Sequence, residues 1–405
     1  LFYSIKKDQI IGLEDFSLYR TNKVATSALV LLIRSISGNW KQPVGYYLVN
    51  GGCPRDILES IIKDAIDKLE SIGLNVVVVL SDMGSNFYSL ALHLNVTPEK
   101  PWFLHKNKKY FLMFDPPHLI KCVRNNLMKY CFRFRQYVAS WKDIEDLYTK
   151  DSALPIRSAP KLTEKHIHPT NFNKMKVKLA TQVLSHTVAA SLCMYASVGG
   201  LPSTAMGTAE FLLKFDSVFD CVNCSTLHST KKLKCPLNDT SPNKEFMIEA
   251  INFIRGLKVF NGNEEVTGRI KCLKGWAVTP SAILAIWDHL KANHDFKYIL
   301  TRRLNTDPLE NFFGTIRQQG GNNDNPTSVQ FVSAFRKLFF SSFLTSSAGN
   351  CAADFDDLIA QCTDTKKPLI PVLATTTQQQ TLEIGPTDYK DPSVVSNIVK
   401  ENAMT

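Results

Sequence analysis

The stretch that most constrains this chain is Val76-Val77-Val78-Val79-Leu80, an unbroken apolar run that ends in Ser81-Asp82. β-Branched side chains are stiff at χ1 and favour extended backbone. A run with no polar alternation fits a strand covered on both faces, which requires a sheet with helices against it. The flanks agree. Pro54–Ile72 carries Ile57, Leu58, Ile61, Ile62, Ala65, Ile66 and Leu69 at helical spacing, and Gly73 closes it. Ser85–Leu94 reads as the next helix.

The same reading extends outward. Residues 24–50 form two apolar runs around Ser37-Gly38-Asn39, which is turn chemistry. Tyr110–Phe114 is a second buried strand ending in an acid, Asp115, and a helix follows over 118–130. The first 115 residues therefore read strand–strand–helix–strand–helix–strand, an α/β pattern with carboxylates at two strand ends. Residues 119–300 read as mainly helical, with apolar periodicity over Lys174–Ser197, Ser203–Phe215, Asn243–Leu257 and Pro280–Ala292. A last helix is expected over Val329–Phe339. From about residue 364 the chain is rich in Thr, Gln, Pro and Ser, and a largely disordered tail is expected over 346–405.

Strand-end acids suit phosphoryl transfer, in which acidic side chains on rigid elements converge on divalent metals. Asp82 is one candidate, and an ordinary cap or turn aspartate is its alternative. Asp115, in Asp115-Pro116-Pro117-His118, could equally cap a helix whose first turn holds the prolines. Glu310 stands in Thr306-Asp307-Pro308-Leu309-Glu310-Asn311, with Arg302, Arg303 and Arg317 nearby. The 47 Lys and Arg against 37 Asp and Glu give a net charge of +10, which fits a polyanionic partner. The window 100–135 holds nine Lys or Arg, Asp115 as its single acid, and Trp102, Tyr110, Phe132 and Phe134 interleaved. Within it His118, Lys121 and Arg124 are candidate DNA contacts, a solvated basic face being the alternative.

Other chemistries are less well supplied. Cys221, Cys224 and Cys235 are one ligand short of a structural zinc site, with His228 as the nearest fourth. No Walker-type phosphate loop is present, so a nucleotide site would have to be non-standard. Lysines such as Lys161, Lys174, Lys176 and Lys178 could reach phosphates, Phe219 could stack on a base, and Asp220 with Asn223 could read guanine. The apolar runs are strand-sized, and no membrane span is expected.

Four strings occur in order: Ser81-Asp82-Met83-Gly84-Ser85-Asn86; Phe114-Asp115-Pro116-Pro117-His118-Leu119-Ile120-Lys121; Lys174-Met175-Lys176-Val177-Lys178-Leu179-Ala180; and Thr306-Asp307-Pro308-Leu309-Glu310-Asn311-Phe312-Phe313-Gly314. Together they resemble the P-element transposase family, whose members often carry an N-terminal THAP finger. The resemblance covers about residues 1–345. It implies an RNase H-like catalytic core (1–118 and 301–345) interrupted by a large, mostly helical GTP-binding insertion (119–300). It implies that Asp82 and Glu310 are catalytic and hold Mg²⁺ or Mn²⁺. GTP, a structural cofactor, would fall on Lys161, Lys176, Val177, Ser185, Phe219, Asp220 and Asn223. His118, Lys121, Arg124, Arg302, Arg303 and Arg317 would face DNA. The family's first catalytic Asp would lie on a strand upstream of Leu1, so the residues present are expected to be inactive alone. The implied function is cut-and-paste transposition on DNA, in the nucleus, by a homo-oligomer when full length. A domesticated, non-catalytic DNA- and GTP-binding derivative is the alternative.

Overall fold

The computed structural model describes residues 1–345 except 6–8, 320 and 322. The tail expected over 346–405 lies outside the described residues.

The first sheet is built from β1 (Phe2–Ser4), β2 (Gln9–Ile11), β3 (Leu13–Asp15), β4 (Arg20–Val24), β5 (Ser27–Arg34) and β6 (Lys41–Val49), in the order β1-β2-β3-β6-β5 with β4 paired to β3. β5 and β6 are the expected pair around Ser37-Gly38-Asn39, joined antiparallel over eight residue pairs from Ser27↔Val49 to Arg34↔Lys41. Helix α1 (Arg55–Ser71) follows and buries Leu58, Ile61, Ile62 and Ile66, four of the residues that the helical spacing picks out. Beyond it, β7 (Val78–Ser81) leads into α2 (Ser85–His93).

The second sheet has three strands in the order β7-β9-β8, with β8 at Trp102–His105 and β9 at Lys108–Phe114. β9 is its centre, and Tyr110 through Phe114 are all buried. β7 runs parallel to β9, with Ser81 opposite Phe114. The valine run is less enclosed than its composition suggests. Val78, Val79 and Leu80 are only half-buried, because β7 pairs with β9 on one side and, among the described residues, with nothing on the other.

Helix α3 (Pro116–Leu127) opens directly from β9. The segment after it, expected to be mainly helical, also holds a small sheet. β10 (Cys131–Phe134), β11 (Tyr137–Ala139), β12 (Lys258–Asn261) and β13 (Glu264–Glu265) pair in the order β11-β10-β12-β13. Between its halves lie α4 (Trp141–Ser152), α5 (Glu164–Ile167), α6 (Asn171–Lys174), α7 (Val177–Val183), α8 (His186–Ser197), α9 (Ala205–Val222) and α10 (Pro242–Arg255). The periodic stretch 174–197 is two helices rather than one. It breaks at Leu184, and the Ser185 hydroxyl caps α8 by accepting from Val188 N at 3.4 Å.

The long helix α11 (Lys271–His294) returns to the second sheet. Thr279 Oγ1 accepts from Phe114 N and donates to Phe114 O, both at 3.0 Å, inside the core. Gly275 permits this approach: a Cβ there would stand 2.7 Å from Leu119 Cδ2 and 2.9 Å from Met83 Sδ. The chain ends its described course in α12 (Asp307–Gln319) and α13 (Ser328–Thr345). Ile316, Phe331 and Phe335 of these helices form a separate apolar cluster with Val30 and Leu48 of the first sheet. The first sheet is thus covered by a helix pair far away in sequence.

Candidate functional site

β7 and β9 are parallel, so their C-terminal ends lie side by side and their strand-end acids emerge together. Asp115 N donates to Ser81 O at 2.8 Å, which fixes the two ends in register. Asp82 is exposed and accepts from Gly84 N at 2.9 Å, turning the chain sharply into α2. Asp115 is buried and has a different task. Its Oδ2 accepts from His118 N at 2.8 Å, capping α3 with Pro116 and Pro117 in the first turn. Its Oδ1 accepts from Thr306 N, also at 2.8 Å, in the segment that leads into α12.

The second bond delivers Glu310 to the strand ends. Glu310 lies in the first turn of α12, where a carboxylate is favoured by the helix dipole. Burial nevertheless raises its pKa; Asp115 and Asp307 act in the same direction, while Lys121 and His118 oppose them. The His118 imidazole is pulled down, chiefly by burial and then by Lys121, and pulled back up by both Asp82 and Glu310. Asp82 follows β7, His118 opens α3 from the Asp115 cap, and Glu310 follows the Thr306 segment tied to the same Asp115, so all three stand at one end of the second sheet. Among the described residues no group of three or more His, Cys, Asp or Glu is arranged to hold a metal ion. Among the described residues this holds for Asp82, His118 and Glu310 and for Cys221, Cys224 and Cys235 alike.

The basic residues divide. Lys121 lies on α3 one turn beyond His118 and is half-buried. Arg302 is partly exposed and pairs with Asp307 at 3.3 Å. Arg317 is half-buried on α12. Two expected DNA contacts are corrected by the structure. Arg124 is fully buried, its Nη2 donating to Lys174 O at 2.9 Å and its Nε to Asn125 Oδ1 at 2.7 Å, so it ties α3 to the end of α6 and does not reach solvent. Arg303 is 6% exposed and donates to Gly38 O in the β5–β6 turn, which makes it a brace between segments. A guanidinium read from sequence carries the same charge whether it is solvated or spent on carbonyls, so neither burial was visible beforehand.

The expected nucleotide residues are partly gathered. Ser185 caps α8, and the next residue, His186, donates its backbone N–H to Asp216 Oδ2 on α9 at 3.2 Å. One turn along α9, Asp220 holds Lys231 Nζ at 2.6 Å, with Asp216 at 3.4 Å from the same ammonium. Burial works against the Lys231 charge, but Asp220 and Asp216 outweigh it and push its pKa up. Phe219 packs at the edge of the main core, and Asn223 Oδ1 is buried with no hydrogen-bond partner among the described residues. Lys176 precedes α7 with its ammonium 4.6 Å from the Phe172 ring centroid, Val177 opens that helix half-buried, and Lys161 is exposed ahead of α5. Lys231 and Asp216 were missed from sequence. The i, i+4 spacing of Asp216 and Asp220 on one helix face was the available signal.

A two-part α/β core, whose helix α12 returns an acid to the strand ends across a helical insertion, defines an RNase H-like domain split by an inserted domain. Comparison with known proteins gives the same order. Residues 1–95 match the family model "TNP-like, RNase H N-terminal domain", residues 117–236 the "TNP-like, GTP-binding insertion domain", and residues 303–336 the "TNP-like, RNase H C-terminal domain". The transposable element P transposase of Drosophila melanogaster is 32% identical over 311 residues, covering 76% of this chain and 40% of that protein. The human DNA transposase THAP9 is 25% identical over 345 residues, covering 81% and 38%. The solved Drosophila P element transposase strand transfer complex superposes with a TM-score of 0.71 at 27% identity, covering 82% of this chain and 75% of that one. The chain belongs to the P-element-type transposase family. It spans about two fifths of the length of the curated relatives it matches.

Proposed function

We propose that this chain is the catalytic core of a cut-and-paste DNA transposase, cleaving DNA strands and joining them to a target. The observation that carries the reading is the Asp115 carboxylate, which sits beside the strand end that bears Asp82 and accepts from Thr306 N at the approach to the helix that bears Glu310, so that two acids 228 residues apart come to one end of the sheet from either side of the inserted domain. The donor set is all carboxylate, which suits hard cations such as Mg²⁺ or Mn²⁺. Burial raises the Glu310 pKa, so a nearby positive charge would favour its ionised form. A divalent ion held there supplies Lewis-acid polarisation of a phosphodiester oxygen.

The remaining work falls to the chain's own groups. Lys121, one turn along α3 from His118, would hold a phosphate oxygen of the strand. His118, its pKa pulled down, stays neutral near pH 7 and can hydrogen-bond a phosphate or water without adding charge.

The insertion is proposed to bind GTP as a structural cofactor around Ser185, Phe219, Asp220 and Asn223, with Lys161, Lys176 and Val177 on the phosphate side. Support comes from the family model over 117–236 and from the Asp216–Asp220 face of α9 beside the α8 cap. The partners proposed are transposon-end and target DNA, the location the nucleus, and the assembly a homo-oligomer that pairs two DNA ends. No described helix is long and apolar enough to cross a membrane. Mn²⁺ titrations in the presence of DNA test the reading: Asp82→Asn and Glu310→Gln should each weaken ion binding by at least about 100-fold, since changes to groups that merely support a ligand cost about 10–100-fold, while DNA binding persists. Unchanged Mn²⁺ binding in both variants would favour a non-catalytic DNA- and GTP-binding derivative.

A further inference from the structure

A cavity of about 100 Å³ lies beside the first turn of α12, lined among others by Arg34, Lys41, Arg302, Arg303, Asp307 and Asn311. That is space for several waters, or for a phosphate group with part of its hydration. Four cations face one carboxylate there. Arg34 and Lys41 are direct cross-strand partners in β5 and β6, an arrangement that like charges normally disfavour. Fold stability accounts for some of these charges. Arg34 Nη1 reaches the carbonyls of Arg302 and Arg303, Arg303 donates to Gly38 O, and Arg302 pairs with Asp307. It does not account for Lys41, which is exposed and makes no ion pair among the described residues.

Location completes the argument. Asp307 and Asn311 lie one above the other on α12, and Glu310 is one residue before Asn311, about 100° around the helix at 3.6 residues per turn. A polyanion crossing this turn meets the cavity on one flank and the acidic pair on the other. We propose that the cavity seats a backbone phosphate of the DNA strand that passes Asp82 and Glu310, with Lys41 and Arg302 as its cationic contacts and Arg34 as the residue that positions the Arg302 segment. Such a contact fixes register and carries no base information. The proposal rests on DNA being the substrate of the neighbouring acids.

The test is duplex DNA binding by the full 405-residue chain over a salt series, with no metal added. Each phosphate contact contributes about −0.9 to the slope of log K against log salt. Lys41→Gln should make the slope shallower by about 0.9 and weaken binding about five-fold at 0.15 M salt. Lys41→Arg should restore both, and neither should change the melting temperature. An unchanged slope in Lys41→Gln, with wild type binding DNA normally, overturns the cavity assignment alone. Failure of wild type to bind DNA overturns it together with the DNA reading. Inorganic phosphate raising the melting temperature of wild type but not of Lys41→Gln, with the DNA slope unchanged, marks a free-phosphate site and also overturns it.

Discussion

The Asp115 carboxylate accepts the backbone N–H of Thr306 at 2.8 Å, across 191 residues of sequence, while its other oxygen caps α3 through His118 N. A single buried side chain thus sets both the helix that carries His118 and the approach to the helix that carries Glu310. The acid most central to the geometry is therefore not one of the two proposed to hold metal.

Replacing Asp115 by Ala leaves the half-buried N–H groups of His118 and Thr306 without their acceptor, at up to about 1–3 kcal/mol each. The variant should melt well below wild type. Asp115→Asn keeps the shape but sets an amide N–H₂ against a backbone donor, and should recover only part of the loss. Thermal unfolding of the three proteins checks the order.

Glu310 makes the opposite prediction. Its pKa is raised above the usual Glu value of 4.5, first by burial and then by Asp115 and Asp307. The folded state therefore prefers the protonated form. Its contribution is fully present below 4.5 and is lost as pH rises through the raised folded value. At pH 7, without metal, Glu310→Gln should raise the melting temperature, on the order of 1–3 °C. At pH 4 the gain should disappear, and Mn²⁺ should stabilise wild type but not the variant.

Much of this was legible in the sequence because it is local. The α1 stripe, the buried β9 strand and the proline-containing start of α3 each follow from a few neighbouring residues. What escaped was non-local. The exposure of Val78 and Val79 depends on which strands flank β7, the strands β10 and β12 find each other across more than 120 residues, and Arg124 looks like its solvated neighbours until Lys174 O is beside it. The motifs around them single out Asp82 and Glu310 as candidates, whereas the Asp115–Thr306 bond had no signal of its own.

Gly275 on α11 is where the helix presses on the Asp82 turn. A methyl group there meets Leu119 and Met83, side chains packed behind that turn. Overpacking costs about 1–3 kcal/mol, offset by about 1 kcal/mol of helix propensity. Gly275→Ala should therefore be mildly destabilising and should also weaken Mn²⁺ binding, because Met83 moves with Asp82. Gly268→Ala, which meets nothing within 4 Å, is the control.

The insertion is tested through Asp220. A hydrogen bond to a charged group is worth about 1.5–3 kcal/mol, so Asp220→Asn should weaken GTP binding by about 10- to 100-fold and leave ATP binding unchanged. Lys231→Gln frees the carboxylate from its present ion pair and should strengthen GTP binding. Fluorescence titration with a labelled nucleotide reads both.

The most direct test of the central claim is a double-mutant cycle on Mn²⁺ binding with Asp82→Asn, Glu310→Gln and the double variant, followed by calorimetry in the presence of DNA. If the two carboxylates hold metal together, either single change should remove most of the binding and the second should add little. Additive losses, or Mn²⁺ binding that survives in the double variant, would mean that Asp82 and Glu310 do not share a metal site, and the catalytic reading would fall.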